Sequence, residues 1–177
     1  MEIIIGHFYF VSDDFFKKVN DPYLKINYER TQRPHYFPFR DSNTGLLWLV
    51  PCSSKVEKFE RIIAKKKEKN KPVDAIKIVT LFDNKTVLLF QDMFPILGKY
   101  ILNEYKQGGH PVKIADQNTV KMLEKNAEKI IKIIKKGVKF TPTQPDALRI
   151  EQLMIEELEM QCEINIDNNI DEDWELE

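Results

Sequence analysis

Residues Tyr28 to Lys58 read YERTQRPHYFPFRDSNTGLLWLVPCSSKVEK, and this stretch decides the fold. RPHYFPFR (33–40) is aromatic and extended, because Pro34 and Pro38 bar it from helix. DSNTG (41–45) is a turn cluster, and LLWLVP (46–51) is an apolar strand stopped by Pro51. Two short strands with a turn between them bring Arg33, His35, Ser53, Ser54 and Lys55 to strand ends, where rigid scaffolds present chemistry. Cations, hydroxyls and one imidazole grouped in this way suit a phosphodiester. That points to RNA.

Working outward, Glu2–Val11 reads as a strand and Ser12-Asp13-Asp14 as the cap of a short helix, FFKKV. A polar loop covers Tyr23–Gln32. Ser53 or Ser54 can cap VEKFERIIAKKKEKN, a helix with Val56, Phe59, Ile62 and Ile63 on one face. AIKIVTLF and TVLLFQDMFPI flank a DNK turn as a hairpin, LGKYILNEYKQ reads as a short helix, and HPVKIA as a small strand. Asp116 or Asn118 opens a long amphipathic helix. Val120, Leu123, Ala127, Ile130 or Ile131 and Ile134 face the core, while Lys121, Lys125, Lys129, Lys132 and Lys136 form a basic stripe. Ala147–Gln161 makes a last helix through Leu148, Leu153, Ile155 and Leu158, followed by an acidic, mobile tail. The predicted class is α+β around a strongly bent, mainly antiparallel sheet, with a body at 1–148 and a C-terminal helix and tail at 149–177.

The chain has 177 residues, 42% apolar and 31% charged, enough for one good core. No apolar run approaches the ~18–20 residues of a membrane span. Cys52 and Cys162 suit a reducing cytoplasm, with a disulfide between them left open. The net charge of −1 conceals an asymmetry. Glu151–Glu177 holds eleven acids and no Lys or Arg; taking these from 28 acids leaves 17 against 27 bases in 1–150, a body near +10. Such a body expects a polyanionic partner, the alternative being solvated lysine-rich faces.

If Ser54 caps the helix after it, its hydroxyl, the first-turn amides and Lys55 converge on one anion-sized spot; plain capping is the alternative. Strand alternation puts Arg33 and His35 on one face, where His35 could move a proton and Arg33 hold a phosphate, unless the histidine is structural. Only Cys52-x-x-Lys55 has Ser–Lys dyad spacing, which leaves an acyl hydrolase on Cys52 or Ser54 a weak option. His7 and His110 fit no metal-ligand spacing, and no phosphate-loop glycine pattern occurs, so neither metal nor nucleotide cofactor is expected.

HFYFVSDDFF, NDPYL, RPHYF, TGLLWLVPCSSKVEKF and QDMFPI, in this order and spacing, resemble the ToxN/AbiQ endoribonucleases of type III toxin–antitoxin systems, most closely the CptN/TenpN branch. The resemblance covers roughly residues 2–137. It implies a compact, twisted, β-barrel-like core similar to MazF and Kid toxins, with helices around it. It also implies a cytoplasmic, metal-independent nuclease that leaves a 2′,3′-cyclic phosphate on cellular and phage RNA. The implied antitoxin is a pseudoknotted repeat RNA, processed by the toxin and closed with it into a ring. By position, the family's hydroxyl pair matches Ser53 and Ser54, its basic residue Lys55 or, with a shift, Lys58, its polar residue after the strand proline His35, and its upstream tyrosine Tyr28. The family often has Ser-Pro-Lys where this chain has Ser-Lys-Val.

In this chemistry the adjacent 2′-hydroxyl attacks phosphorus, so the protein aligns the attack, moves protons and stabilises the phosphorane. His35 is expected to transfer the proton, Arg33 and Lys55 to hold the non-bridging oxygens, and Ser53 and Ser54 to donate hydrogen bonds. The expected RNA surface comprises Arg40, Lys58, Lys65, Lys66 and Lys67 together with the lysine stripe at 121–136. A non-catalytic RNA-binding module built on these helices is the competing reading.

Overall fold

The hairpin read from 33–51 forms the middle of the molecule. In chain order the elements are β1 (Phe8–Val11), α1 (Asp13–Val19), β2 (Pro34–Arg40), β3 (Leu47–Ser53), α2 (Val56–Glu68), β4 (Lys77–Leu81), β5 (Asn84–Leu88), β6 (Phe94–Ile96), β7 (Ile101–Glu104), β8 (Lys106–Gln107), β9 (His110–Pro111), α3 (Gln117–Lys135) and α4 (Ala147–Asp173). The computed structural model describes residues 1–27 and 31–173, with side-chain surroundings described as far as Glu163.

Every ladder is antiparallel, and the main sheet runs β4-β5-β3-β2-β1-β7. β3 changes partner along its outer edge: Leu47–Leu49 pair with β6, whereas Cys52 and Ser53 pair with β5. No ladder among the described residues joins β4 to β7, so the antiparallel α+β core is present but does not close into a barrel. The register of β2 on β3 slips by one residue between Tyr36 and Phe39, at Pro38, a residue that has no N–H to give a ladder.

The strands of the hairpin are buried on both faces, which explains their nearly unbroken apolar sequence. Alternation sends Phe8, Tyr36, Trp48, Val50 and Cys52 to one cluster, covered by Leu123, Ala127, Ile130 and Ile134 of α3. Tyr9, Val11, Phe37, Leu47 and Leu49 go to the opposite cluster, with Phe15 and Phe16 of α1 and Ile150 and Met154 of α4. Phe59 of α2 packs with Ile76, Val87 and Leu89 in a third, smaller cluster. Gly6, at φ +91°, lies where an added Cβ would come within 3.1 Å of Val120, so the turn leading into β1 approaches α3 closely there.

Three expectations change. LGKYILNEYKQ is not a helix: after a single turn at Gly98–Tyr100 it supplies β7, because the open edge of β1 takes Tyr9–Glu104 and Phe10–Asn103 pairings that outweigh local propensity. α4 buries Ala147, Ile150, Met154 and Glu157, with Leu153, Ile155 and Leu158 of the expected stripe packed partly buried against the same cluster, and only Leu148 of that stripe is exposed. α4 also continues to Asp173, through most of the segment read as a tail. Cys52 is buried and Cys162 exposed, and both are free thiols. No helix among the described residues is long and apolar enough to cross a membrane.

Candidate active site

Where β3 passes from β6 to β5 and the chain turns into α2, the surface opens into a hollow of about 150 Å³. Arg33, Pro34, Cys52, Ser53, Ser54 and Thr86 line it. A second hollow of about 180 Å³ shares Pro34, Cys52 and Thr86 with it and continues past Asn84, Tyr105 and Gln107. Together they form one cleft across the ends of β2, β3 and β5, polar at the Arg33 end and aromatic at the Tyr105 end, where Tyr105 packs on Phe10 at 5.1 Å.

Arg33 is fixed by the backbone around it. Its Nη1 donates to the Cys52 carbonyl at 2.6 Å and its Nε to the Ile26 carbonyl at 3.3 Å, while its own amide donates to Asn27 Oδ1 at 3.0 Å. Behind it the buried Asp92 faces Lys25 at 3.7 Å. Burial raises the Asp92 pKa, and the Lys25 and Arg33 charges pull against that rise. Ser53 Oγ accepts the Lys55 amide at 3.3 Å. The N-cap of α2 is Lys55, not Ser54, and it makes no side-chain capping bond; the first-turn amides nevertheless begin beside the two serines, where the helix field favours an anion.

His35 does not enter the cleft. Ladder pairing begins at Pro34, and Arg33, ahead of it, swings to the Cys52 carbonyl while His35 turns into the core. The ring is fully buried between Phe16 at 6.2 Å and Phe94 at 5.5 Å. Burial first, and the Arg33 charge second, push its pKa down to about 3. Carbonyls of Arg33, Lys25 and Tyr9 oppose this, but neither ring nitrogen meets hydrogen-bond geometry among the described residues. A neutral, enclosed imidazole cannot exchange protons with a bound strand, so the proton-transfer role expected of His35 is withdrawn. Cys52 is itself buried, and burial pushes its thiol up to about 12, so the sulfur is held as an unreactive core thiol.

Ser53, Ser54 and Arg33 are thus brought together, with Lys55 beside them on the turn. Tyr28 lies outside the described residues. Arg40, Lys58, Lys65 and Lys67 are exposed and Lys66 is half-buried. Lys121, Lys125, Lys132 and Lys136 are exposed, and Lys129 is engaged at 2.6 Å with Asp74. Among the described residues no group of three His, Cys, Asp or Glu side chains is placed to hold a metal ion. Nothing in the sequence marks Thr86, Asn84 or Tyr105: the β3–β5 ladder brings Thr86 and Asn84 to the cleft, and the pairing of the chain after β7 with β1 brings Tyr105.

The sequence matches no protein-family model and no curated protein. Its structure is similar to that of AbiQ, a lactococcal anti-phage endoribonuclease belonging to the type III toxin–antitoxin system. The TM-score is 0.65 at 14% identity, and the match covers 86% of this chain and 98% of AbiQ. The chain shares the AbiQ fold.

Proposed function

We propose that the chain is an endoribonuclease toxin of a type III toxin–antitoxin system. The observation that carries this reading is the grouping of one anchored guanidinium with the hydroxyls of Ser53, Ser54 and Thr86 in a cleft, on a scaffold with the fold of AbiQ. RNA brings its own nucleophile, so the cleft needs only to orient the strand and to stabilise charge. Arg33 stabilises the non-bridging oxygens of the phosphorane, and Ser53 and Ser54 donate hydrogen bonds to them. Proton transfer passes to Lys55 or, with a shift, Lys58, and to Tyr28. Tyr105 offers a face for a neighbouring base.

The same reading takes the reaction to be metal-independent, with a 2′,3′-cyclic phosphate and a 5′-hydroxyl as products. It takes the antitoxin to be a pseudoknotted repeat RNA closed with the protein into a ring, and the site of action to be the cytoplasm, on cellular and phage RNA. The CptN/TenpN branch, a MazF- or Kid-like core and the division into a toxin domain at 1–148 and a C-terminal helix and acidic tail at 149–177 belong to this proposal. The test is incubation with single-stranded RNA in excess EDTA: cutting is expected, with cyclic phosphate ends and no scission at a 2′-deoxy position. Strict dependence on added Mg²⁺ or Mn²⁺, or scission at the deoxy position, defeats it.

A second reading, an RNA-binding module without catalysis, is favoured by one observation: among the described residues no histidine lines the cleft. Tight RNA binding with no scission by the unaltered protein selects it.

A further inference from the structure

A larger hollow, about 430 Å³, lies between the end of α2, the segment 71–75, α3 and residues 139–140. Its floor is apolar: Ala75, Ile130, Ile133 and Phe140, the last packed against the first core cluster, with the exposed Pro72 at its edge. Its rim is cationic. Asp74 is satisfied by Lys129 at 2.6 Å and Lys77 at 3.4 Å, and these contacts, Lys129 foremost, hold its carboxyl below the usual range. Lys66, Lys71 and Lys139 form no ion pair among the described residues, so three positive charges surround an apolar floor. The volume falls in the ~300–1,000 Å³ range of small-molecule sites. Apolar lining and anion-seeking charge at its rim are the complement of a nucleotide, whose base is a π-face and whose phosphates are anions.

α2 connects this hollow to the cleft. It begins beside Ser53 and Ser54 and ends at Lys65, Lys66 and Lys67, and its 13 residues span roughly 20 Å at ~1.5 Å each. Exposed Lys58 in the first turn and Lys65 in the last place cations at both ends of α2, suited to a continuous backbone of phosphates rather than to one free nucleotide.

We infer that this hollow is a base-binding subsite for single-stranded RNA: one unpaired base rests against Phe140, its flanking phosphates meet Lys66, Lys71 and Lys139, and the length of α2 sets which phosphate reaches the cleft. The inference rests on the RNA reading above, deepening it to a recognition subsite.

The test uses the full chain and a short single-stranded oligonucleotide with 2′-O-methyl riboses, which cannot be cut, carrying one abasic position moved along the strand. Fluorescence anisotropy should show one position at which base loss weakens binding roughly 5- to 100-fold, the range of a missing base–aromatic stack. In Phe140→Leu, which keeps the apolar packing, that position should lose its effect. Lys71→Glu with Lys139→Glu should weaken all strands alike and flatten the salt dependence. A strand insensitive to abasic scanning overturns the inference, as does a sensitivity that persists in Phe140→Leu. Competition by free AMP or UMP as strong as by the strand overturns it too. Failure of the nuclease reading is separable: unmodified RNA left uncut by the unaltered protein removes catalysis and leaves the subsite standing. Cutting by Phe140→Leu at unchanged rate and position removes the subsite's ruler role and leaves catalysis standing.

Discussion

His35 shows how much a single residue's surroundings decide. Its neutral form is favoured in the folded chain, with a pKa about 3, against 6.5 when exposed. The unfolded chain therefore binds one more proton between those values, and stability falls as pH drops through that window, by up to ~1.4 kcal/mol per pH unit. Urea midpoints at successive pH values should show this slope for the unaltered protein and a flatter one for His35→Phe. Slopes that coincide would mean the ring titrates freely. His35→Phe should also keep RNA cleavage within about tenfold, whereas a proton-transferring group would lose roughly 10²- to 10⁴-fold. Arg33 and Ser53 are the contrasting case. Arg33→Ala should lower the single-turnover rate on RNA roughly 10²- to 10³-fold and Ser53→Ala somewhat less, with strand affinity changed much less. If both variants cut at the normal rate, the cleft is not the active site.

At the scale of elements, the helices and strands with strong period were legible in the sequence. α3 buries the five core positions its spacing requires, and α2 and the β2–β3 hairpin stand where Pro, Gly and apolar runs put them. What escaped depends on partners distant in sequence. β7 exists because β1 has an edge to pair, and α4 buries Glu157 beside the apolar positions of its core face. There Glu157 accepts from Tyr100 at 2.9 Å and meets Lys18 at 3.0 Å and Lys99. Burial pushes its pKa up, and these partners outweigh burial to leave it lowered. Glu157→Ala should cost about 1–3 kcal/mol in denaturant unfolding, since it strands the Tyr100 hydroxyl and two lysines; a cost under a few tenths would mean that α4 is held by its apolar packing alone. The site was half legible for the same reason: Ser53 and Ser54 follow from the strand end, while Thr86 needs the β3–β5 ladder. On α3, Lys129 is neutralised by Asp74. Charge reversal at Lys125 and Lys132 should therefore reduce the salt slope of RNA binding by ~0.7 for each phosphate left without its lysine. Reversal at Lys129 should instead show mainly as reduced stability.

Across the whole molecule, one sheet is covered on both faces by helices that come from distant parts of the chain. Trp48 lies fully buried at the centre of one face, with Lys135 over its ring at 6.0 Å, and Lys135 in turn reaches Asp41 and Glu151. Trp48→Ala should therefore cost about 3–5 kcal/mol, measured as a shift in denaturant midpoint at unchanged slope. A smaller cost would mean that the two faces are less tightly joined than this packing indicates. Chain order gives α4 a further meaning. Ile150 and Met154 complete their cluster only after every strand has been synthesised, and until then β6 lacks its cover. Folding on the ribosome proceeds from the N-terminal side. A ribosome-arrested chain ending at Asp146 should thus be cut readily by protease, and one extended past α4 should resist; equal resistance would show that the sheet needs no seal. On the nuclease reading, the cleft is made early and becomes competent late, an interval during translation in which a neutralising RNA can already be in place.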